Sequence, residues 1–244
     1  MTERDPASRP PNEDAEETAR FDATADWWDP QGSQRALHDI NPVRLSWLQS
    51  RIGSPAGKRI LDVGTGGGLV AEALAERGAH VVGIDTASRA LEVARAHAER
   101  AEAAPCYRQA TVETVAAEVR HGETEPFDAV TCLEMLEHVP DPGAVVGACA
   151  ETLRPGGDAC FSTLNRTAAS FALAIVGAEY VLGLLPRGTH QHARFIRPAE
   201  LTAWGRQHGL ALEDLTGLGY NPFTRRAWLK RDTSVNYFAH FRKA

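Results

Sequence analysis

The run Leu61-Asp62-Val63-Gly64-Thr65-Gly66-Gly67-Gly68 places glycine at 64, 66 and 68, directly after a short apolar stretch. A strand that turns into a helix through Gly64, Gly66 and Gly68 brings bare backbone close to a ligand and permits conformations that a Cβ disfavours. Alone, such a loop also fits a plain tight strand-to-helix turn. Two acids sharpen the reading. Asp62 precedes the first glycine by two positions, where a carboxylate can orient the loop or accept from a cationic amino group. Asp85 closes a second apolar run about 20 residues on, where an acid accepts from both ribose hydroxyls. A lone Asp at a strand end usually caps the next helix, but combined with these glycines it marks a site for a nucleoside-bearing cofactor.

Nicotinamide and S-adenosylmethionine enzymes share this constellation. The dinucleotide fingerprint requires glycine at position 69, where the chain has Leu69. An acid immediately upstream of the loop suits a cofactor that carries an ammonium and no pyrophosphate. S-adenosylmethionine is therefore the expected cofactor, with the nicotinamide reading as its alternative.

A second constellation, Cys132-Leu133-Glu134-Met135-Leu136-Glu137-His138, follows another apolar run. Ligands of open α/β sheets gather at the carboxyl ends of strands, which directs Glu134, Glu137 and His138 toward the reacting group. Two carboxylates and an imidazole can bind a divalent cation, although imidazole is a less usual partner for a hard ion. The competing reading has the same residues capping the next helix and pairing among themselves. His138 is a candidate general base, because imidazole titrates near working pH and a nearby carboxylate can hold its tautomer. His138 and Glu137 are thus the catalytic candidates. His190 and His192 form a further pair, without a third ligand nearby, for which a substrate-contact or surface role is the better reading. Trp27 and Trp28 either cover the mouth of the site or simply pack.

The elements that must position these residues alternate. A helix is expected from about Asp14, with Phe21, Ala25 and Trp28 on one face, and a second over 43–51. Strands are then expected at 59–63, 80–85, 106–110, 127–132 and 158–163. Helices over 69–77, 88–101, 112–119 and 142–153 fall between them. Such alternation requires parallel pairing with right-handed crossovers, a Rossmann-like doubly wound, mostly parallel α/β sheet. After Asn165 the rhythm breaks into a long apolar stretch over 168–185, before a helix at 198–208 and final strands at 210–216 and 239–242.

At 244 residues the chain can bury one substantial core, so residues 14–244 are read as a single domain after a polar tail over 1–13. A net charge of -6 with no long basic cluster argues against a general nucleic-acid binder and favours a small organic substrate. Cys106, Cys132, Cys149 and Cys160 show no disulfide or metal spacing, which implies a reducing compartment. The first 20 residues lack the basic and apolar regions of a secretory signal.

The chain resembles the class I methyltransferases and, within them, the ubiquinone-biosynthesis O-methyltransferases. The resemblance runs from about Phe21 to His240. It rests on Asn41-Pro42-Val43-Arg44-Leu45, the 61–68 loop, Glu134 through Pro142, Pro155-Gly156-Gly157, Phe161 through Arg166, Val176 through Tyr180, Gly188-Thr189-His190 and Gly219-Tyr220-Asn221-Pro222. The glycine loop, the strand-end acid and Pro155-Gly156-Gly157 are common to methyltransferases at large, whereas the other strings are specific. The resemblance implies that Arg44, Gly64, Asp85 and Leu133 line the cofactor site, joined by Asp62 and Gly66 of the loop. Arg44 would meet the cofactor carboxylate. The chain departs from the family at Thr65, often cysteine, and at Leu133, often methionine; neither change should abolish binding. The resemblance also implies magnesium at Glu134, Glu137 and His138, where a cation would orient a catechol hydroxyl and lower its pKa.

The implied reaction methylates catechol-type hydroxyls of polyprenylated quinone precursors, including 3-demethylubiquinol. Its alternatives are methylation of another small phenol, or a silent, membrane-docked assembly protein that only binds the cofactor. Other ubiquinone-biosynthesis proteins would be partners. The stretch 168–185, bounded by Arg166 and Arg187, is shorter than the roughly 20 apolar residues of a span and is interrupted by Glu179. It is expected to form a membrane-surface or lid helix within an insertion at about 166–190, with a buried core helix as the alternative. The protein would then be cytoplasmic and peripheral to the inner face of the cell membrane.

Overall fold

The computed structural model describes residues 12–24, 26–100, 104–171 and 192–244. Five parallel strands form the heart of the sheet: β1 (Arg59–Val63), β2 (His80–Asp85), β3 (Cys106–Gln109), β4 (Phe127–Leu133) and β5 (Leu153–Leu164). They read as near-continuous apolar runs because helices cover both faces. Four of the five residues of β1 are buried. Between the strands run α3 (Leu69–Ala75), α4 (Ser88–Ala98), α5 (Val112–Arg120) and α6 (Pro142–Thr152). The expected doubly wound α/β architecture is present.

The strand order is β3-β2-β1-β4-β5-β8-β6-β7. The chain steps outward from β1 to β3 and then crosses back to β4, which puts the topological switch between β1 and β4. A crevice opens at that point, beyond the strand ends. Beyond β5 the sheet is antiparallel, with β8 (Asn236–Lys243) against β5, β6 (Leu210–Asn221) against β8, and β7 (Arg226–Lys230) at the edge. β7 was not expected from sequence. Its five residues, Arg226-Ala227-Trp228-Leu229-Lys230, are largely solvent-exposed and basic at both ends, so no buried apolar alternation betrays it.

The N-terminal helices also differ in extent. α1 (Ala15–Asp22) begins at an Asp14 cap that accepts from the backbone of Glu16 and Glu17 at 3.1 and 3.4 Å. α2 spans Arg35–Ile52 and contains Pro42 in its interior, where the sequence had placed a helix start. A proline there removes one backbone donor and ordinarily kinks or breaks a helix. Buried side chains on both sides of it, Ile40 before and Arg44, Trp47 and Leu48 after, hold the two halves as one element against the sheet.

Of the 168–185 stretch, only the short α7 (Ala168–Ser170) and Phe171 fall within the described residues. The expected lid helix and His190 lie outside them. Pro198–Gln207 forms α8, as anticipated. Among the described residues no helix is long and apolar enough to cross a membrane. All four cysteines are free; Cys132, Cys149 and Cys160 are buried, whereas Cys106 is exposed.

Candidate active site

A cavity sits at the switch point and is floored by the glycine loop. Arg44, Asp62, Gly64, Gly66, Asp85 and Leu133 all line it, so the structure brings the expected cofactor residues together. Gly64 and Gly66 have φ of +70° and +52°, values that disfavour any side chain. Space imposes the same requirement. A Cβ on Gly64 would meet Met135 at 2.6 Å, and one on Gly66 would meet the Trp27 indole at 2.5 Å. Trp27 lies over the loop and is itself buried.

Asp85 accepts from Gly66 N at 2.8 Å and from Ala87 N at 2.9 Å, which fixes its carboxylate at the end of β2 facing the cavity. Burial raises its pKa against those backbone hydrogen bonds. Asp62 is buried beneath the loop and accepts from Thr131 Oγ1 at 2.6 Å and Thr65 Oγ1 at 2.7 Å. Burial pushes its pKa up to about 6, opposed by the two hydroxyls and by Arg44. Thr65 therefore holds the loop to Asp62 through its hydroxyl.

Arg44 carries the clearest sign of a missing partner. Its guanidinium is buried, and Nε and Nη2 have no hydrogen-bond partner among the described residues. Glu134 is the nearest carboxylate, 3.8 Å away. A buried cation with unmade hydrogen bonds is costly, so the arrangement calls for an anion in the cavity. Trp27 Nε1, also on the cavity wall, is likewise a donor without a partner among the described residues. A carboxylate-bearing ligand fits Arg44, and a ribose fits Asp85.

At the far wall, His138 Nδ1 lies 3.0 Å from Glu17 Oε2 on α1, and the Phe21 ring packs edge-on against the imidazole at 5.2 Å. Burial pulls the His138 pKa down, but Glu17, Glu137 and Glu134 outweigh it and the net direction is upward. The same contact holds Glu17 below the usual carboxylate range, against its partial burial. Glu17 is thus the carboxylate that orients the imidazole. Sequence reasoning had only Glu137 as a catalytic carboxylate, since a contact spanning 121 residues leaves no local signal.

Glu137 does not line the cavity. It is buried and accepts from Thr163 Oγ1 at 2.8 Å, and burial followed by the nearby Glu134 pushes its pKa up to about 7. The cause is local: Leu136–His138 is a 3-10 turn, in which successive side chains diverge by about a third of a turn. Glu134, at a strained φ of +54°, turns instead to Ser162 Oγ, which donates to it at 2.7 Å. Glu134, Glu137 and His138 therefore engage three separate partners, and among the described residues no three such side chains are grouped to hold a metal ion. Among the described residues the expected magnesium therefore finds no converging set of these side chains. Nor do the three cap α6, whose cap is Asp141. The cavity is completed by residues with no recognisable motif, including Thr86, Ala110, Thr111 and Val112. His192 stands outside it, its Nε2 donating to Thr167 O at 2.9 Å.

Comparison with known proteins agrees with this geometry. A methyltransferase-domain family model matches residues 38–215. The ubiquinone biosynthesis O-methyltransferase of Alkalilimnicola ehrlichii is 55% identical over 226 residues, covering 92% of this chain and 90% of that protein. That of Acinetobacter baylyi is 50% identical over 231 residues, covering 94% and 95%. Among solved structures, a magnesium protoporphyrin IX methyltransferase from Synechocystis with bound SAH superposes with a TM-score of 0.64 at 19% identity, covering 94% of each chain. An N-methyltransferase from Bradyrhizobium japonicum in complex with S-adenosylhomocysteine gives 0.60 at 16% identity, covering 93% of this chain and 97% of that one. These two share the fold. With half or more of its residues identical to those relatives along nearly its whole length, the chain belongs to the ubiquinone biosynthesis O-methyltransferases.

Proposed function

We propose that the protein transfers a methyl group from S-adenosylmethionine to a catechol-type hydroxyl of a polyprenylated ubiquinone precursor, 3-demethylubiquinol among them. The observation that carries the reading is the pairing, within one cavity, of an unsatisfied buried guanidinium with an imidazole held by a carboxylate. Arg44 would take the cofactor carboxylate and Asp85 the ribose hydroxyls. Asp62 would face the ammonium end through the loop that it braces. Bound there, S-adenosylmethionine supplies an electrophilic methyl on a sulfonium.

A neutral phenol is a poor nucleophile, so its proton must leave. His138 is the base placed to receive it, since Glu17 fixes the ring and favours the imidazolium that results. Phe21, Trp27, Leu133 and Met135 give the cavity an apolar wall suited to an aromatic acceptor and to exclusion of water. Beyond binding, the protein contributes proximity and orientation for an in-line displacement. An acceptor with a polyprenyl tail resides in the bilayer. The reading therefore includes peripheral contact with the inner face of the cell membrane from the cytoplasm, and contact with other ubiquinone-biosynthesis proteins.

The base assignment is tested by His138→Ala. Turnover on a short-chain prenyl catechol should fall by about 100-fold or more, while the cofactor dissociation constant changes little. Equal loss of turnover and of cofactor affinity would refute the role.

A further inference from the structure

Four side chains that do not line the cavity, Trp28, Glu72, His97 and Tyr107, gather against the glycine loop and its helix. Glu72 lies in the first turn of α3, where an acid favours the helix dipole, and is 4% exposed. It accepts from His97 Nδ1 of α4 at 2.7 Å. Burial raises the Glu72 pKa, and the His97 bond opposes that rise. The buried Tyr107 hydroxyl packs against Gly68, the residue from which α3 starts.

His97 makes a second contact. Its ring lies flat on the Trp28 indole, with centroids 3.5 Å apart and planes 1° from parallel. The same indole donates to Gly67 O at 2.8 Å. With 37% of its side chain exposed, His97 is not fixed by burial. The Glu72 bond sets the plane of the imidazole, and the imidazole sets the plane of the indole. A residue that only tied α4 to α3 would need the first of these contacts and not the second.

Trp28 leads directly to the cavity through its neighbour. Trp27 is buried on Gly66 and Gly67, where a Cβ on either glycine would meet it at 2.5 Å. The Trp27 carbonyl accepts from His38 Nε2 of α2 at 2.7 Å, which holds the backbone of the strap from the other side. The Trp27 indole thereby becomes part of the cavity wall, with its Nε1 left as a donor for a ligand. A chain of contacts thus runs from Glu72 through His97 and Trp28 to the wall that faces the cofactor.

We propose that His97 is a positioning residue for the cofactor: its stack on Trp28 holds the Trp27 indole against the glycine loop and so sets cofactor affinity, without a part in methyl transfer itself. The inference rests on cofactor binding at the glycine loop and is indifferent to which hydroxyl is methylated.

The test is calorimetric titration of the full chain with S-adenosylhomocysteine, alongside a melting curve and turnover at saturating S-adenosylmethionine. His97→Ala should weaken binding by about tenfold and raise the cofactor KM to match, with kcat unchanged. Two further variants separate the contacts of the ring. His97→Phe keeps a stacking ring but strands the buried carboxylate, so it should lower the melting temperature while recovering most of the affinity. His97→Asn keeps a donor for Glu72 without the ring, so it should melt near wild type and bind as weakly as His97→Ala. In a Trp28→Ala background, His97→Ala should add no more than about a twofold further loss. Unchanged affinity in His97→Ala, affinity restored by Asn and not by Phe, or full additivity with Trp28→Ala would each overturn the proposal. Failure to methylate any catechol with these affinities as expected leaves it intact and overturns the acceptor instead.

Discussion

In the proposed reaction the Glu17–His138 contact is the side-chain pair on which the chemistry turns. Glu17 favours the imidazolium and so raises the His138 pKa, whereas the base must be neutral to accept a proton. Turnover should therefore rise with pH through the His138 ionisation. In Glu17→Gln the raising charge is gone, and the rise should move to lower pH. The plateau should fall by about tenfold as the ring loses its orientation. A pH–rate profile checks both; a rise that stays in place or moves to higher pH contradicts the pairing. Legibility at this scale was uneven. Asp62, Gly64, Gly66 and Asp85 were readable because loop and strand-end positions carry fixed roles relative to the chain, whereas Arg44 and Leu133 were implied by the family resemblance; all six line the cavity. Glu17 was not, because its partner lies 121 residues away. Glu137, expected in the site, does not line the cavity because a 3-10 turn, invisible in the composition, sends it into the core toward Thr163.

Elements decide how closely the cofactor loop is covered. Trp27 rests on Gly66 and Gly67, and Trp28 donates to Gly67 O at 2.8 Å, so the segment between α1 and α2 is laid directly on the loop. Gly66→Ala must both hold a Cβ at a φ of +52° and displace that indole. Cofactor affinity should drop by about tenfold or more, and the fold should lose more than about 1 kcal/mol, as expected where alanine replaces a glycine at positive φ. Calorimetric titration alongside a melting curve separates the two. Retained affinity would mean that the loop does not approach the ligand as described. The βα alternation from β1 to β5 was legible in apolar runs punctuated by glycine. α2 was read too short because Pro42 looks like a boundary, and packing of both halves overrides it. β7 escaped notice because its side chains serve the solvent face rather than a core.

For the molecule as a whole, topology gathers the chemistry on one edge. The switch between β1 and β4 opens the cavity there, and α1 closes it from above. Whole-chain composition gave no hint of this polarity, since a net charge of -6 says nothing of where the charges lie. What unites these parts is methyl transfer to a hydroxyl, and the most direct measurement is incubation with S-adenosylmethionine labelled in its methyl group and a short-chain prenyl catechol. The product should carry one label on a catechol oxygen, matched by S-adenosylhomocysteine. Cofactor that binds without labelling any catechol, or label found on a ring carbon, would contradict the account.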